Sequence, residues 1–313
     1  MRVRLILVSV GLTTLLALAL ALAPVDLRRA SSYVAGHPFE VALALLAYTV
    51  AFALRTASWR PLIGARVPFA KLFSLLMGAL FLNHAAPAKA GDLARMYALA
   101  RRVPAERAVA SVVLSRLVDL AGLISVLVVS WAVAGAGSWE KVWPPLLAVV
   151  AAGVTLFLLV RLELPAILGA RFGVVGRYAS CVRAALRETT RASLMVSWTF
   201  AAPAWVLEAG ILLVVGRGLG LELSLAEVVA ATCFAVLVAA VPLAPGSLGT
   251  YEAGMVAVLL AFGVPVESAF AAAVTTHAVK FLYALAAAPF ALGEGLAAVR
   301  KGKVRSDEAG LEI

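Results

Sequence analysis

Two pairs of ionisable residues sit inside otherwise apolar sequence, Arg116 with Asp119 and His277 with Lys280. Their members are three positions apart, so a helix holds each pair on one face. Glu208 stands alone within the apolar run from Ser193 to Gly216, and Glu252 follows a stretch rich in proline and glycine. At the middle of a membrane helix an Arg, Lys or Asp costs about 2.5–3.5 kcal/mol, so such groups need partners or a watery path. The chemistry open to them is charge compensation, proton transfer or the holding of a charged headgroup. A static Arg116–Asp119 pair and a protonated, inert Glu208 are the plainer alternatives.

Two polar stretches interrupt apolar half-helices. The first runs Phe81-Leu-Asn-His-Ala-Ala-Pro-Ala-Lys-Ala-Gly-Asp-Leu-Ala-Arg95 and contains Asn83, Pro87, Lys89, Gly91, Asp92 and Arg95. Pro87 removes a donor and Gly91 allows positive φ, so the backbone can leave the helix there. A helix restarting near Asp92 presents free N–H groups and a positive dipole end to an anion such as a phosphate, a partner that suits Lys89 and Arg95. The alternative is an ordinary basic loop beside the membrane. The second stretch, Val241-Pro-Leu-Ala-Pro-Gly-Ser-Leu-Gly-Thr-Tyr-Glu252, holds Pro245, Gly246 and Gly249 and reads either as a turn or as a site of close backbone approach to a headgroup. Glu252 favours the second, because a carboxylate beside a membrane-embedded turn needs a cationic or proton-linked task.

The elements that must position these residues are membrane helices. Of 313 residues 63% are apolar and 14% charged, with mean hydropathy +1.01, whereas soluble domains carry about a quarter charged residues. Six stretches are long enough to cross a bilayer: Leu5 to Ala23, Phe39 to Leu54, Ala108 to Ala134, Pro144 to Val160, Ser193 to Gly216 and Ala269 to Leu292. The first reads as a retained helix and not a cleaved signal peptide. Once the two shorter apolar runs, Leu72 to Leu82 and Val228 to Leu243, are counted as well, the longest remaining interval is residues 161–192, too short for a separate soluble domain, which excludes a water-soluble catalytic module. That interval is arginine-rich and reads as a positive cytoplasmic loop or a surface helix on anionic lipid. Leu72 to Leu82, about 16 Å as a helix, and Val228 to Leu243 read as half-crossings. Cys181 and Cys233 lie too far apart to suggest a disulfide, and no metal or cofactor framework follows from the sequence.

Positive residues orient the chain. With a cytoplasmic N-terminus and both half-crossings turning back, four of the 27 Lys and Arg fall outside: Arg28, Arg29, Lys141 and Arg217. Arg116 and Lys280 lie within the membrane and the other 21, Arg55 among them, face the cytoplasm. This imbalance is the positive-inside pattern of a multi-pass cell-membrane protein with both termini cytoplasmic. A complete crossing by Leu72 to Leu82 would place the cations from Lys89 to Arg107 outside.

Polar punctuation suggests an internal repeat. Pro87-Ala-Lys-Ala-Gly91 aligns with Pro245-Gly-Ser-Leu-Gly249, and Val103-Pro104-Ala105-Glu106 with Val264-Pro265-Val266-Glu267, which sets Arg116 on His277 and Asp119 on Lys280. The expected copies, about 61–134 and 217–292, enter from opposite sides, as in transporters built from inverted repeats with broken helices. The fold expected is therefore all-α and polytopic, with about six full transmembrane helices and two re-entrant helical hairpins in one domain, 1–292, followed by a cytoplasmic tail, 293–313.

The combination Asn83, Pro87, Gly91-Asp92, Arg95, Arg116, Asp119, Pro245-Gly-Ser-Leu-Gly249 and Glu252 resembles the lysylphosphatidylglycerol synthase transmembrane family, the flippase-like domain, over nearly the whole chain. That family shows Asn…Pro-x-Arg-x-Gly-Glu…Arg, then Arg-x-x-Asp, then Pro-Gly-Gly-Leu-Gly…Glu. Here Lys89 stands for the first Arg, Asp92 for Glu and Ser247 for a Gly, and His277 sits where an Arg is expected. Members are implicated in moving aminoacylated phospholipids, cardiolipin or glycan-linked lipids, so the resemblance implies a flippase half. It carries no synthase half, since nothing comparable to the soluble synthase domain follows Leu292. On this reading a lipid headgroup enters a polar crevice between the hairpins. Lys89, Arg95, Arg116, His277 and Lys280 would hold its phosphate. Asp92, Asp119, Glu208 and Glu252 would balance the cations or bind an amine or proton. Gly91, Gly246, Gly249, Pro87 and Pro245 would shape the breaks. The partners expected are membrane lipids, with a second copy of the chain or a lipid synthase besides, and no nucleic acid. The sequence lacks HExxH, GxSxG, Walker-type and CxxC motifs, so no enzymatic activity is expected. The alternatives are a membrane-embedded enzyme or accessory subunit acting on polyprenyl-linked sugars or aminoacyl-phospholipids, and a scaffold for a synthase.

Overall fold

Apolar faces turned outward and ionic faces turned inward organise the chain. The computed structural model describes residues 27–86, 90–135, 189–240, 245–291 and 293. The expected spans Leu5 to Ala23 and Pro144 to Val160, nearly all of the arginine-rich interval, Pro87, Lys89 and the C-terminal tail lie outside the described residues. The helices are α1 (Leu27–Gly36), α2 (Pro38–Trp59), α3 (Phe69–Ala85), α4 (Ala90–Ala100), α5 (Ala105–Ala134), α6 (Arg191–Glu208), α7 (Gly210–Gly218), α8 (Leu225–Ala239), α9 (Thr250–Ala261) and α10 (Val266–Ala286), with no strand among the described residues. Among the described residues four runs are long and apolar enough to cross a membrane: Pro38–Leu62, Ala105–Ala134, Arg191–Gly218 and Val266–Ala291. Helix α2 shows the inside-out pattern. Phe39, Leu43, Leu46 and Val50, spaced four, three and four apart, are exposed, while Tyr48, Phe52, Arg55 and Trp59 on the other face are buried. In water that arrangement would be unstable; in hydrocarbon it is the favourable one.

Local chemistry sets the boundaries. Ser224 caps α8, its Oγ accepting from Glu227 N at 3.3 Å while Glu227 Oε2 accepts from Ser224 N at 2.7 Å. Thr190 caps α6 by accepting from Ser193 N at 3.1 Å. Helices α5 and α10 start alike, each behind a proline in extended conformation, Pro104 and Pro265, with Glu106 and Glu267 in the first turn. The expected span from Ser193 to Gly216 is not one straight helix. Pro203 lies inside α6 and lacks the N–H for a bond to the preceding turn, and the chain turns at Ala209 before α7, directly after Glu208.

Both expected half-crossings are corrected in extent. The first is α3, seventeen residues and not eleven, or about 25 Å, because Phe69 to Lys71 and Asn83 to Ala85 join the helix. The second, α8, stops at Ala239, short of Leu243. Each pairs with the short helix that follows. Helix α4 runs back along α3, with Leu72 and Leu75 in one cluster with Leu99 and Val103 and Gly91 against Ala79 and Asn83. Asn83 Oδ1 accepts from Gly91 N at 2.9 Å across the turn. A Cβ at Gly91 would collide with the carbonyl oxygen of Ala79. Gly91→Ala is therefore expected to lower stability by about 1–3 kcal/mol, read as a lower unfolding temperature in detergent; an unchanged temperature would mean that the two helices do not pack this way. Helix α9 packs on α8 through Gly254, which faces Ala235 and Val238.

Candidate functional site

The end of α3 meets the turn before α9. Gly246, at φ +62°, opens the turn before α9, and a Cβ there would sit 3.2 Å from the Phe281 ring and 3.5 Å from the His84 carbonyl at the end of α3. Ser247 also has positive φ, +60°. Its Oγ donates to Ala239 O at 3.0 Å and Thr250 Oγ1 donates back to Ser247 O at 2.9 Å, which offsets the strain of a non-glycine residue in that region.

Behind the meeting point lies a cavity of about 450 Å³, within the usual range for small-ligand sites. Its walls come from both helix pairs and from α2, α5, α6 and α10, and include Asn83, Asp92, Arg95, Arg116, Asp119, Glu208, Gly246, His277 and Lys280. Nine of the residues singled out from the sequence thus share one cavity, and Gly91 packs behind Asn83. Glu252 sits behind His277, its Oε1 2.7 Å from Nδ1. Its Oε2 accepts from Gly249 N at 2.8 Å, so this carboxylate holds the turn as well as the imidazole. Pro245 opens the short 3-10 turn ahead of Gly249. Pro87 and Lys89 lie outside the described residues.

The charges form one chain across the cavity. Arg116 grips Asp92 with a fork, Nη2 to Oδ1 at 2.8 Å and Nε to Oδ2 at 3.0 Å, the bidentate geometry suited to a carboxylate. Asp92 also meets Arg95 Nη2 at 3.3 Å. Arg95 is buried, donates to Ser115 Oγ at 3.1 Å and stacks on Trp59 with its Cζ 4.5 Å from the ring centre. Asp119 lies 3.9 Å from Arg116 and 3.3 Å from Arg55. Arg55 Nη2 donates to Glu208 Oε2 at 2.6 Å, and Lys280 Nζ donates to Glu208 Oε1 at 2.7 Å. Arg55 lies over Trp205 at 4.1 Å, and Lys280 over Tyr251 at 5.0 Å, contacts that favour a desolvated cation.

One alternative is extended here and one expectation changes. Arg116 keeps Asp119 at 3.9 Å and takes Asp92 more closely at 2.8 Å, because α4 folds back beside α5. Arg55, counted among the cytoplasmic cations, is instead 9% exposed within α2, since that helix continues five residues past Leu54. The sequence held a signal for this. Arg55 is flanked by residues a membrane helix tolerates, Ala53, Leu54, Thr56 and Ala57. Tyr48, Trp205 and Tyr251, which line the cavity, carried no comparable signal.

Arg116 retains 46% side-chain exposure although helices surround it, because its open side faces the cavity. Two buried donors on the wall, Arg95 Nε and the Tyr251 hydroxyl, have no hydrogen-bond partner among the described residues. Such groups cost about 1–3 kcal/mol each when left unsatisfied. The family model for the lysylphosphatidylglycerol synthase TM region matches residues 5–288, which takes in every helix described above. The chain belongs to the lysylphosphatidylglycerol synthase transmembrane family. No curated protein and no solved structure matches it. Membership, the apolar helices and their outward-facing apolar side chains together identify a membrane protein.

Proposed function

We propose that this family member translocates the headgroup of a phospholipid or lipid-linked molecule across the cell membrane, without catalysing covalent chemistry. The observation that carries the reading is a cavity walled by both helix pairs and crossed by a chain of buried charge. A phosphate docks on the open side of Arg116 and reaches Arg95 Nε and the Tyr251 hydroxyl, while the acyl chains stay in the bilayer. Helices α3–α4 and α8–α9 act as re-entrant hairpins, entering from opposite faces as inverted copies. At eleven to seventeen residues these helices fall at or below the length of about 17–25 residues a crossing needs. With both termini cytoplasmic, hairpin α3–α4 enters from the cytoplasm.

The test uses purified protein in phosphatidylcholine vesicles that carry a trace of acyl-NBD phosphatidylglycerol. Dithionite, which cannot cross the bilayer, should bleach more than the outer-leaflet half when protein is present and only that half in empty vesicles. Bleaching that stops at the outer leaflet in both overturns the proposal. Turnover of a lipid-linked substrate in detergent, where translocation has no meaning, would support the membrane-embedded enzyme instead.

A further inference from the structure

The cavity carries two histidines, and their settings differ. His84 Nδ1 lies 2.9 Å from the Leu80 carbonyl, a bond within its own helix. His277 Nδ1 lies 2.7 Å from a carboxylate oxygen of Glu252, which also holds the turn at Gly249. With that carboxylate accepting, Nδ1 keeps its proton in either state of the ring, and Nε2 is where a second proton is gained or lost.

Ionisable groups near His277 come from several helices. Tyr251 stacks on it from α9, with ring centres 4.5 Å apart. Lys280, one turn further along α10, is bound to Glu208 of α6. Tyr48 of α2 lies 5.7 Å from the Lys280 ammonium, Cys233 of α8 is buried nearby, and His84 of α3 shares the cavity. Of these side-chain types only histidine ordinarily changes charge between pH 5 and 8.

The charge balance gives that proton a purpose. Among the described residues of the cluster, Arg55, Arg95, Arg116 and Lys280 are matched by Asp92, Asp119, Glu208 and Glu252. With His277 neutral these described residues sum to no net charge, and with His277 protonated they sum to one positive charge. A phosphodiester carries one negative charge. We propose that His277 is the coupling site of the translocator: a proton binds Nε2 as an anionic phosphodiester headgroup enters, and both leave on the other side, so that each cycle moves one proton and one anion with no net charge. The Glu252–His277 bond becomes an ion pair in the loaded state and ties the turn before α9 to α10 while the headgroup is in place. This inference rests on the translocation reading above and adds the coupling ion to it.

The experiment uses the same vesicles with a pH difference of one unit and the membrane potential clamped by valinomycin and potassium. Electroneutral coupling drives the labelled phosphatidylglycerol toward the alkaline leaflet until the two leaflets differ by up to about tenfold, because one pH unit is a tenfold ratio in proton activity. That asymmetry should not change with the clamped potential and should vanish in His277→Gln. Exchange that proceeds in wild type yet ends with equal leaflets overturns the coupling and leaves translocation standing; no exchange in wild type overturns both. Asymmetry that survives in His277→Gln, or vanishes in His84→Gln alone, overturns the assignment to His277. Where His277→Gln moves too little lipid to read, nitrogen-15 histidine spectra of the protein in nanodiscs give a second measurement. The signal missing from His277→Gln should respond to pH and shift in Glu252→Gln, and a signal indifferent to pH contradicts the proposal.

Discussion

Glu208→Leu is expected to lower stability in detergent by about 3–5 kcal/mol, the cost of breaking a buried ionic cluster from one side. Glu208 is 6% exposed and accepts from both Arg55 at 2.6 Å and Lys280 at 2.7 Å. Without it two cations face each other across an apolar wall, and only Arg55 keeps another carboxylate, Asp119. The triple variant Glu208→Leu with Arg55→Met and Lys280→Met should recover most of the loss, since well-packed apolar side chains often replace a buried ionic triad at no net cost. Denaturant unfolding of the two variants beside wild type separates the cases. A single variant within about 1 kcal/mol of wild type would mean that the three groups do not share a desolvated site.

Arg116→Ala should do the opposite, with little effect on stability and a large one on transport. Arg116 faces the cavity with nearly half its side chain open, and its partner Asp92 retains Arg95. A charge-assisted hydrogen bond to a phosphate contributes about 1.5–3 kcal/mol, so its loss should slow dithionite-detected exchange by about ten- to a hundredfold. Arg116→Lys keeps the charge without the fork and should fall between. Unchanged exchange in Arg116→Ala would remove this residue from the headgroup site.

Much of this was legible in the sequence because membrane helices obey few rules. Apolar length located α2, α5, α6 and α10, since nothing else in 313 residues could satisfy so much apolar surface. The triplets Arg116–Asp119 and His277–Lys280 had to face inward. Hidden from the sequence were the tertiary choices among partners: which carboxylate Arg116 takes depends on α4 folding back along α3, and that depends on Gly91 fitting against the Ala79 carbonyl. Arg55 was misplaced because hydropathy ended its helix at Leu54, whereas burial against Asp119 and Glu208 carries the helix to Trp59.

The central claim, that both helix pairs enter and leave the membrane on the same side and do so from opposite faces, is tested most directly by single cysteines. In a background with Cys181 and Cys233 replaced by serine, exposed ends of each pair are substituted: Arg66→Cys and Arg102→Cys for α3–α4, Glu222→Cys and Glu267→Cys for α8–α9. A membrane-impermeant maleimide applied to intact cells should label positions 222 and 267 and leave 66 and 102 unlabelled until the cytoplasmic face is opened. Labelling of 66 and 102 from different sides, or of 222 and 267 from different sides, would show complete crossings and contradict the account.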